Sequence, residues 1–394
     1  MSRIDEGMRA ITTGPRFHWF GYYDKFQFDA AGRRVLGMEV DFEGRPPRGD
    51  DVIRVGMVDL DDGDRWIELG TSRAWCWQQG CMLQWRPGFD SQVLWNDREG
   101  DDFVCRVLDL DSGRMRTLPG PVYTLSPDGR EALAPDFRRV NDTRPGYGYA
   151  GPADPFRDVD APEGSGIWRM DMETGARELV LSIAEVAAIP NGALPAEGQK
   201  HYFNHLLYNP DGTRFVFLHR CPHREREAIR MTRALTAAPD GSGLHVINDS
   251  GRFSHFIWRD PKHLLAWSWR ESHEYRMYLY EDLTGRAEPV AEEFITADSH
   301  ISYLPGGEWL LGDYYPRPGG KSERALFLYH LPSRRGVDLG AVASPEEYRG
   351  QLRCDLHPRH SRDGRQVCID SVHGGEGRQM YLMGLRGAML QAIG

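Results

Sequence analysis

An all-β, seven-bladed β-propeller with four-stranded blades is the fold this sequence predicts, and two recurrent signals predict it. Seven turn signals, each carrying Gly or Pro, precede short β-type runs, and turns of a second kind lie between them. Spread over 394 residues, seven such units span about 55 residues each, a spacing suited to propeller blades. A pair of β-sandwiches is the alternative, but sandwiches do not repeat one turn signature seven times.

The turns run in order through the chain. Asp29-Ala30-Ala31-Gly32 precedes Arg34-Val35-Leu36, Arg86-Pro87-Gly88 precedes Val93-Leu94-Trp95, and Ser126-Pro127-Asp128-Gly129 precedes Ala132-Leu133-Ala134. Asn209-Pro210-Asp211-Gly212 then leads into Phe215-Val216-Phe217-Leu218, and Arg259-Asp260-Pro261-Lys262 into Leu264-Leu265-Ala266-Trp267. Leu304-Pro305-Gly306-Gly307 and Ser361-Arg362-Asp363-Gly364 introduce the last two runs. Pro pre-sets the first turn position, and Gly accepts the positive φ that follows. Val58-Asp59-Leu60-Asp61-Asp62-Gly63 and Leu108-Asp109-Leu110-Asp111-Ser112-Gly113 exemplify the second kind, the turns of the outer strands. Between the third and fourth inner-strand turns the spacing stretches. A polar, Gly/Pro-rich insertion is expected over about 138–166, and a short helix over about 182–189, started by Ser182 with Glu185 as a capping box. One domain over 1–394 is expected.

A net charge of −10 argues against a surface made for nucleic acid, while leaving room for a local basic pocket. None of the six cysteines forms a CxxC pair, so they read as reduced core residues of a cytoplasmic protein. Residues 1–16 carry charges and no apolar stretch of signal-peptide type, and no run approaches the roughly 18 apolar residues of a membrane span. No P-loop or dinucleotide fingerprint is present.

In a propeller, the residues before each inner strand and after each second strand open on one face. In Ser299-His300 through Gly312-Asp313, a tight hairpin brings a histidine and a carboxylate to the same side. Before the other inner strands stand His205, His255 and His357, and after other second strands stand Arg138, Arg139, Arg220, Arg270 and Asp370, all expected on that one face. Tyr22, Tyr23 and Trp77 are placed to wall a sugar. Arginines in an acidic protein suit a small anionic ligand. Imidazoles converging near carboxylates suit a proton-transfer base, a divalent metal, or both. An acidic oligosaccharide meets these demands, and the matching reaction is β-elimination at a uronate.

The stretches Ile229-Arg230-Met231, Ser254-His255-Phe256-Ile257-Trp258, Ser299-His300 through Asp313, and His357-Pro358 with Asp363-Gly364 and Asp370-Ser371 resemble the oligogalacturonate lyase family of seven-bladed polysaccharide lyases. The resemblance covers about 205–385. It implies His255 as the base, Arg230 as the substrate arginine, and His300 and His357 as metal ligands; His205, expected to face the same channel, is the alternate base or acid. Where the family has a glutamine and two histidines, this chain has Gln351-Leu352-Arg353-Cys354-Asp355-Leu356-His357. Asp355 replaces one histidine. It is a competent ligand for Mn, Mg or Ca, and Arg353 is the alternative source of positive charge. The chain thus resembles a divergent member that cleaves uronate-containing oligosaccharides, with Arg220 joining Arg230 on the carboxylate. Two other readings stand beside it. One is a glycoside hydrolase using Asp24, Asp97, Asp313 or Asp370; the other is a non-catalytic propeller that binds sugar or protein.

Overall fold

The computed structural model describes residues 7–190, 198–222, 230–271, 274–315 and 322–393. Among them are seven antiparallel sheets of four strands. Each of the seven turns joins the first and second strands of one sheet, as in Tyr202–Tyr208 with Phe215–Pro222 and Ile301–Tyr303 with Trp309–Tyr314. At the fourth turn Gly212 sits at φ +73°, which a Cβ would disfavour, and the Asp211 carboxylate accepts the Thr213 N–H at 3.0 Å. The second kind of turn joins the third and fourth strands, as between Ile53–Asp59 and Arg65–Ser72.

The unbroken apolar runs of the second strands follow from burial on both faces. Successive side chains of a strand point to opposite faces. Leu264 and Ala266 therefore pack into the core shared with blade four, while Leu265 and Trp267 pack into the core shared with blade six. In blade six, Leu310 faces blade five and Leu311 faces blade seven. Each such Leu contributes about 1.5–3 kcal/mol by leaving water, so every blade is stabilised by both neighbours. All six cysteines are buried, and none forms a disulfide among the described residues.

The ring closes through a strand the sequence does not advertise. Met8–Ala10 pairs with Gln379–Gly384, so blade seven takes its outer strand from the N-terminal end of the described chain.

The insertion differs in part from the expected polar loop. It opens with a helix, α1 (Phe137–Thr143), capped by the Asp136 side chain accepting the Arg138 N–H. The expected short helix is present as α2 (Ile183–Ala187), with both bonds of the Ser182/Glu185 capping box. Arg139 is a structural hub. It donates to the His201, Phe156, Val159 and Asp160 carbonyls and to Asp154, holding the insertion against blade four. Among the described residues, no helix is long and apolar enough to cross a membrane.

Candidate functional site

Four histidines enter the axis of the propeller from blades four to seven, each where the backbone departs from regular strand. In blades four and five the inner strand carries one extra residue relative to its partner, between Asn204 and Leu207 and between Phe253 and Phe256. Such bulges re-aim a side chain, and they turn His205 and His255 inward. His205 and His357 have φ of +52° and +42°, a region that costs a non-glycine residue about 1–3 kcal/mol and clusters at functional sites.

The rings form a continuous cluster. His255 and His357 each lie 4.2 Å from His300, centroid to centroid. Tyr22, from the entry to blade one, stacks on His205 at 4.9 Å and meets His357 edge-on at 5.1 Å. Tyr23 also touches His300 at 5.3 Å. Its hydroxyl donates to the Phe256 carbonyl and accepts the Phe256 N–H, so it anchors the backbone next to His255.

Hydrogen bonds define the tautomers. His255 Nδ1–H donates to Asp298 Oδ1 at 2.9 Å, which leaves the Nε2 lone pair free to take a proton. Ser254 Oγ–H holds the other oxygen of Asp298 at 2.7 Å. Burial pushes the His255 pKa down, against the opposing pull of Asp298. His205 is arranged the other way. Its Nδ1 accepts from the Tyr123 hydroxyl at 3.0 Å and the Gln79 amide at 3.2 Å, so its proton sits on Nε2. Burial, then the nearby Arg144, hold its pKa well below the usual value.

His300, Asp355 and His357 bring ligand atoms within 4.8 Å of one another. Asp313 organises two of them. It accepts His300 Nδ1–H at 3.0 Å and the His357 N–H at 3.2 Å, directing His300 Nε2 inward, where the Tyr315 hydroxyl donates to it at 3.1 Å. His357 Nε2 is buried with no hydrogen-bond partner. It lies 3.8 Å from Asp355, too far for a hydrogen bond. An orphaned imidazole nitrogen beside a second nitrogen and a carboxylate fits a divalent cation. Asp355 is already strongly compensated: Arg353 donates to Oδ2 at 2.7 Å, and Arg324 pairs with Oδ1 at 2.7 Å. Its pKa is held far below the usual carboxylate range by these two cations, against burial.

The other gathered polar residues are engaged within the fold, some of them across blades. Asp370 accepts the Phe20 and Gly21 N–H groups at 3.1 and 3.0 Å and pairs with Arg359 at 2.7 Å. Asn96 bridges both backbone groups of Val122 at 2.7 Å. Asp97 pairs with Arg106, Asp24 with Lys25, and Arg138 with Asp136. The expectation for Trp77 needs correction. At 2% exposure it packs among Trp19, Trp75 and Phe42 and donates its indole N–H to Arg45, so no face is open to a sugar. Arg220 is 4% exposed, and its Nε has no hydrogen-bond partner. Arg230 pairs with Pro222 through its backbone; its side chain lies outside the described residues.

Sequence reasoning missed Asp298, Tyr315, Arg324 and Tyr147. Asp298 stands two residues before His300 in the chain, yet its partner belongs to the preceding blade. Tyr147, from the insertion, meets His205 edge-on at 5.6 Å and receives a hydrogen bond from Arg353.

No family model and no curated protein matches the chain by sequence. Solved structures do match its fold. An oligogalacturonate lyase from Vibrio parahaemolyticus superposes with a TM-score of 0.67 at 14% identity, covering 97% of this chain and 94% of that one. An oligogalacturonate lyase in complex with manganese gives 0.68 at 14% identity, covering 99% and 96%. The tricorn protease gives 0.52 at 12% identity, over 96% of this chain and 35% of that one. The shared feature is the propeller, which with the lyases extends over nearly the whole of both chains.

Proposed function

We propose that this propeller is a lyase that cleaves a uronate-containing oligosaccharide by β-elimination. The observation that carries the reading is the His255–Asp298 pair at 2.9 Å, set against the His300/Asp355/His357 group. His255 Nε2 removes the proton α to the uronate carboxylate, the C–O bond to the 4-linked sugar breaks, and a double bond forms between the two ring carbons. Asp298 keeps the imidazole in the basic tautomer and balances the imidazolium that results. His205 presents Nε2–H as a hydrogen-bond donor to the departing oxygen, which leaves as a hydroxyl by taking a proton from solvent, while the proton held by His255 returns to solvent to restore the base. Arg220 and Arg230 receive acidic groups of the substrate, and Tyr22 lines the pocket between His205 and His357. His300, Asp355 and His357 would hold a divalent cation such as Mn, Ca or Mg, and when bound it supplies Lewis-acid neutralisation of the substrate carboxylate.

The structural likeness to oligogalacturonate lyases supports this reading. The hydrolase alternative is weakened because Asp24, Asp97, Asp313 and Asp370 are each engaged by a cation, an imidazole or backbone N–H groups. The test is ultraviolet absorbance of an unsaturated uronate, read over a panel of uronate oligosaccharides with and without chelator. A rise establishes elimination. New reducing ends without absorbance would identify hydrolysis instead.

A further inference from the structure

Asn204 is 1% exposed, yet neither its side-chain oxygen nor its side-chain nitrogen has a hydrogen-bond partner among the described residues. The three other buried asparagines are satisfied within the fold: Asn96 by Val122 and Tyr149, Asn209 by Thr213 and Pro261, and Asn248 by Trp269 and Tyr280. A whole amide left unbonded in the interior weakens a fold, so Asn204 calls for a partner from outside the protein. Its place in the fold says what that partner meets. On the inner strand of blade four, Phe203 and Leu206 pack into the core shared with blade three. Asn204 stands opposite Leu218, which belongs to the core shared with blade five, so Asn204 is turned towards blade five. There the bulge between Phe253 and Phe256 presents His255, and the bulge that follows Asn204 presents His205. Arg220, two residues beyond Leu218, is the diagonal neighbour of Asn204 on the same face.

An amide asks for a partner that both donates and accepts. A carboxylate only accepts and would leave the amide oxygen unbonded, whereas two adjacent ring hydroxyls meet both atoms, one donating to Oδ1 and the other accepting from Nδ2–H. In a 4-linked uronate the 4-oxygen departs, the first carbon carries the glycosidic link and the fifth carries the carboxylate, so the free pair is the 2- and 3-hydroxyls. We infer that Asn204 is a specificity-determining residue that reads this diol on the sugar that loses its proton. The chain therefore selects sugars in which both hydroxyls are unsubstituted, since an O-acetyl or O-methyl group there removes a donor and adds bulk in a buried seam. The inference rests on the uronate reading for the acidic group of the sugar, but not for the diol.

Two measurements on the full chain test it. First, Asn204→Leu, which keeps the volume and removes the amide, is expected to melt no lower than wild type, because an unbonded polar group has left the interior. A variant that melts several degrees lower would show the amide to be satisfied inside the fold and overturn the inference. Second, calorimetry compares the methyl glycosides of galacturonate and glucuronate, which have no 4-linked sugar to lose, with the 2-deoxy and 3-deoxy forms of the tighter binder. Each deoxy sugar is expected to bind wild type about tenfold more weakly than its parent. In Asn204→Leu the parent is expected to fall to the level of the deoxy sugars, erasing the difference. Asn204→Ala is read alongside, so that a leucine variant that does not fold leaves the sugar comparison intact. Discrimination that survives in these variants, or is missing from wild type, would refute a diol on Asn204. If the two uronosides do not bind and the neutral methyl galactoside does, with the same dependence on Asn204, the uronate reading fails and the diol site stands. If no sugar binds, both fall.

Discussion

Asp298→Asn is the sharpest perturbation of the proposed base. In the wild type Asp298 accepts His255 Nδ1–H at 2.9 Å and the Ser254 hydroxyl at 2.7 Å. The amide presents its NH2 or its weaker carbonyl to the ring. With the NH2 facing Nδ1, the imidazole proton moves to Nε2, and the atom that should abstract a proton already carries one. Two opposite charges about 4 Å apart interact by about 4 kcal/mol at an effective dielectric of 20. Asp298 keeps 31% of its side chain exposed, so solvent screening leaves the pair well below that ceiling, and the His255 pKa is expected to fall further once the Asp298 charge that raises it is removed. Losing the base function should lower turnover by about 10²–10⁴, with substrate binding much less affected. Nitrogen-detected NMR of the imidazole reads both the tautomer and the titration, independently of any substrate. A wild-type His255 carrying its proton on Nε2, or a titration that Asp298→Asn leaves unmoved, would refute the reasoning.

Three further outcomes are expected. Calorimetric titration of manganese into chelator-treated protein should show binding that His357→Ala weakens at least about tenfold, whereas Arg353→Ala, which removes a cation 2.7 Å from Asp355, should tighten it about tenfold; equal affinities across the three proteins would remove the metal from the site. Asp370→Asn should cost about 3–5 kcal/mol in urea unfolding, because it strands the buried Arg359; lost turnover with unchanged stability would instead revive the hydrolase. Burial holds the pKa values of His205 and His357 well below the usual value, so the unfolded chain binds protons that the folded one does not. Stability is therefore complete above about pH 6.5 and falls below it by up to about 1.4 kcal/mol per pH unit for each of the two; a flat profile of unfolding free energy from neutral pH to about pH 5 would contradict this.

Within the sequence, the blades were legible because their signals are local. A Pro-Asp-Gly turn sets its own backbone, and alternate residues of Leu264-Leu265-Ala266-Trp267 needed a core on both faces wherever the neighbours came from. The His300–Asp313 pair was legible for the same reason, since one tight hairpin carries both residues and puts Ile301 opposite Gly312. The capping box at Ser182 and Glu185 lies within one helical turn. The ring closure by Met8–Ala10 was not legible, because three residues carry too little pattern and their partner strand stands at the other end of the chain. The bulges that aim His205 and His255 inward, the Asp298 beneath His255, and the two arginines on Asp355 depend on how separate blades and loops are set against one another. Trp77 shows the limit most plainly. Its sequence neighbourhood of aromatic and polar residues suits a pocket wall as well as a core, and only the packing of Trp19, Trp75 and Phe42 around it decided between them. Local backbone preference and side-chain period are written along the chain; which polar atoms meet across blades is decided by the rigid geometry of the closed ring.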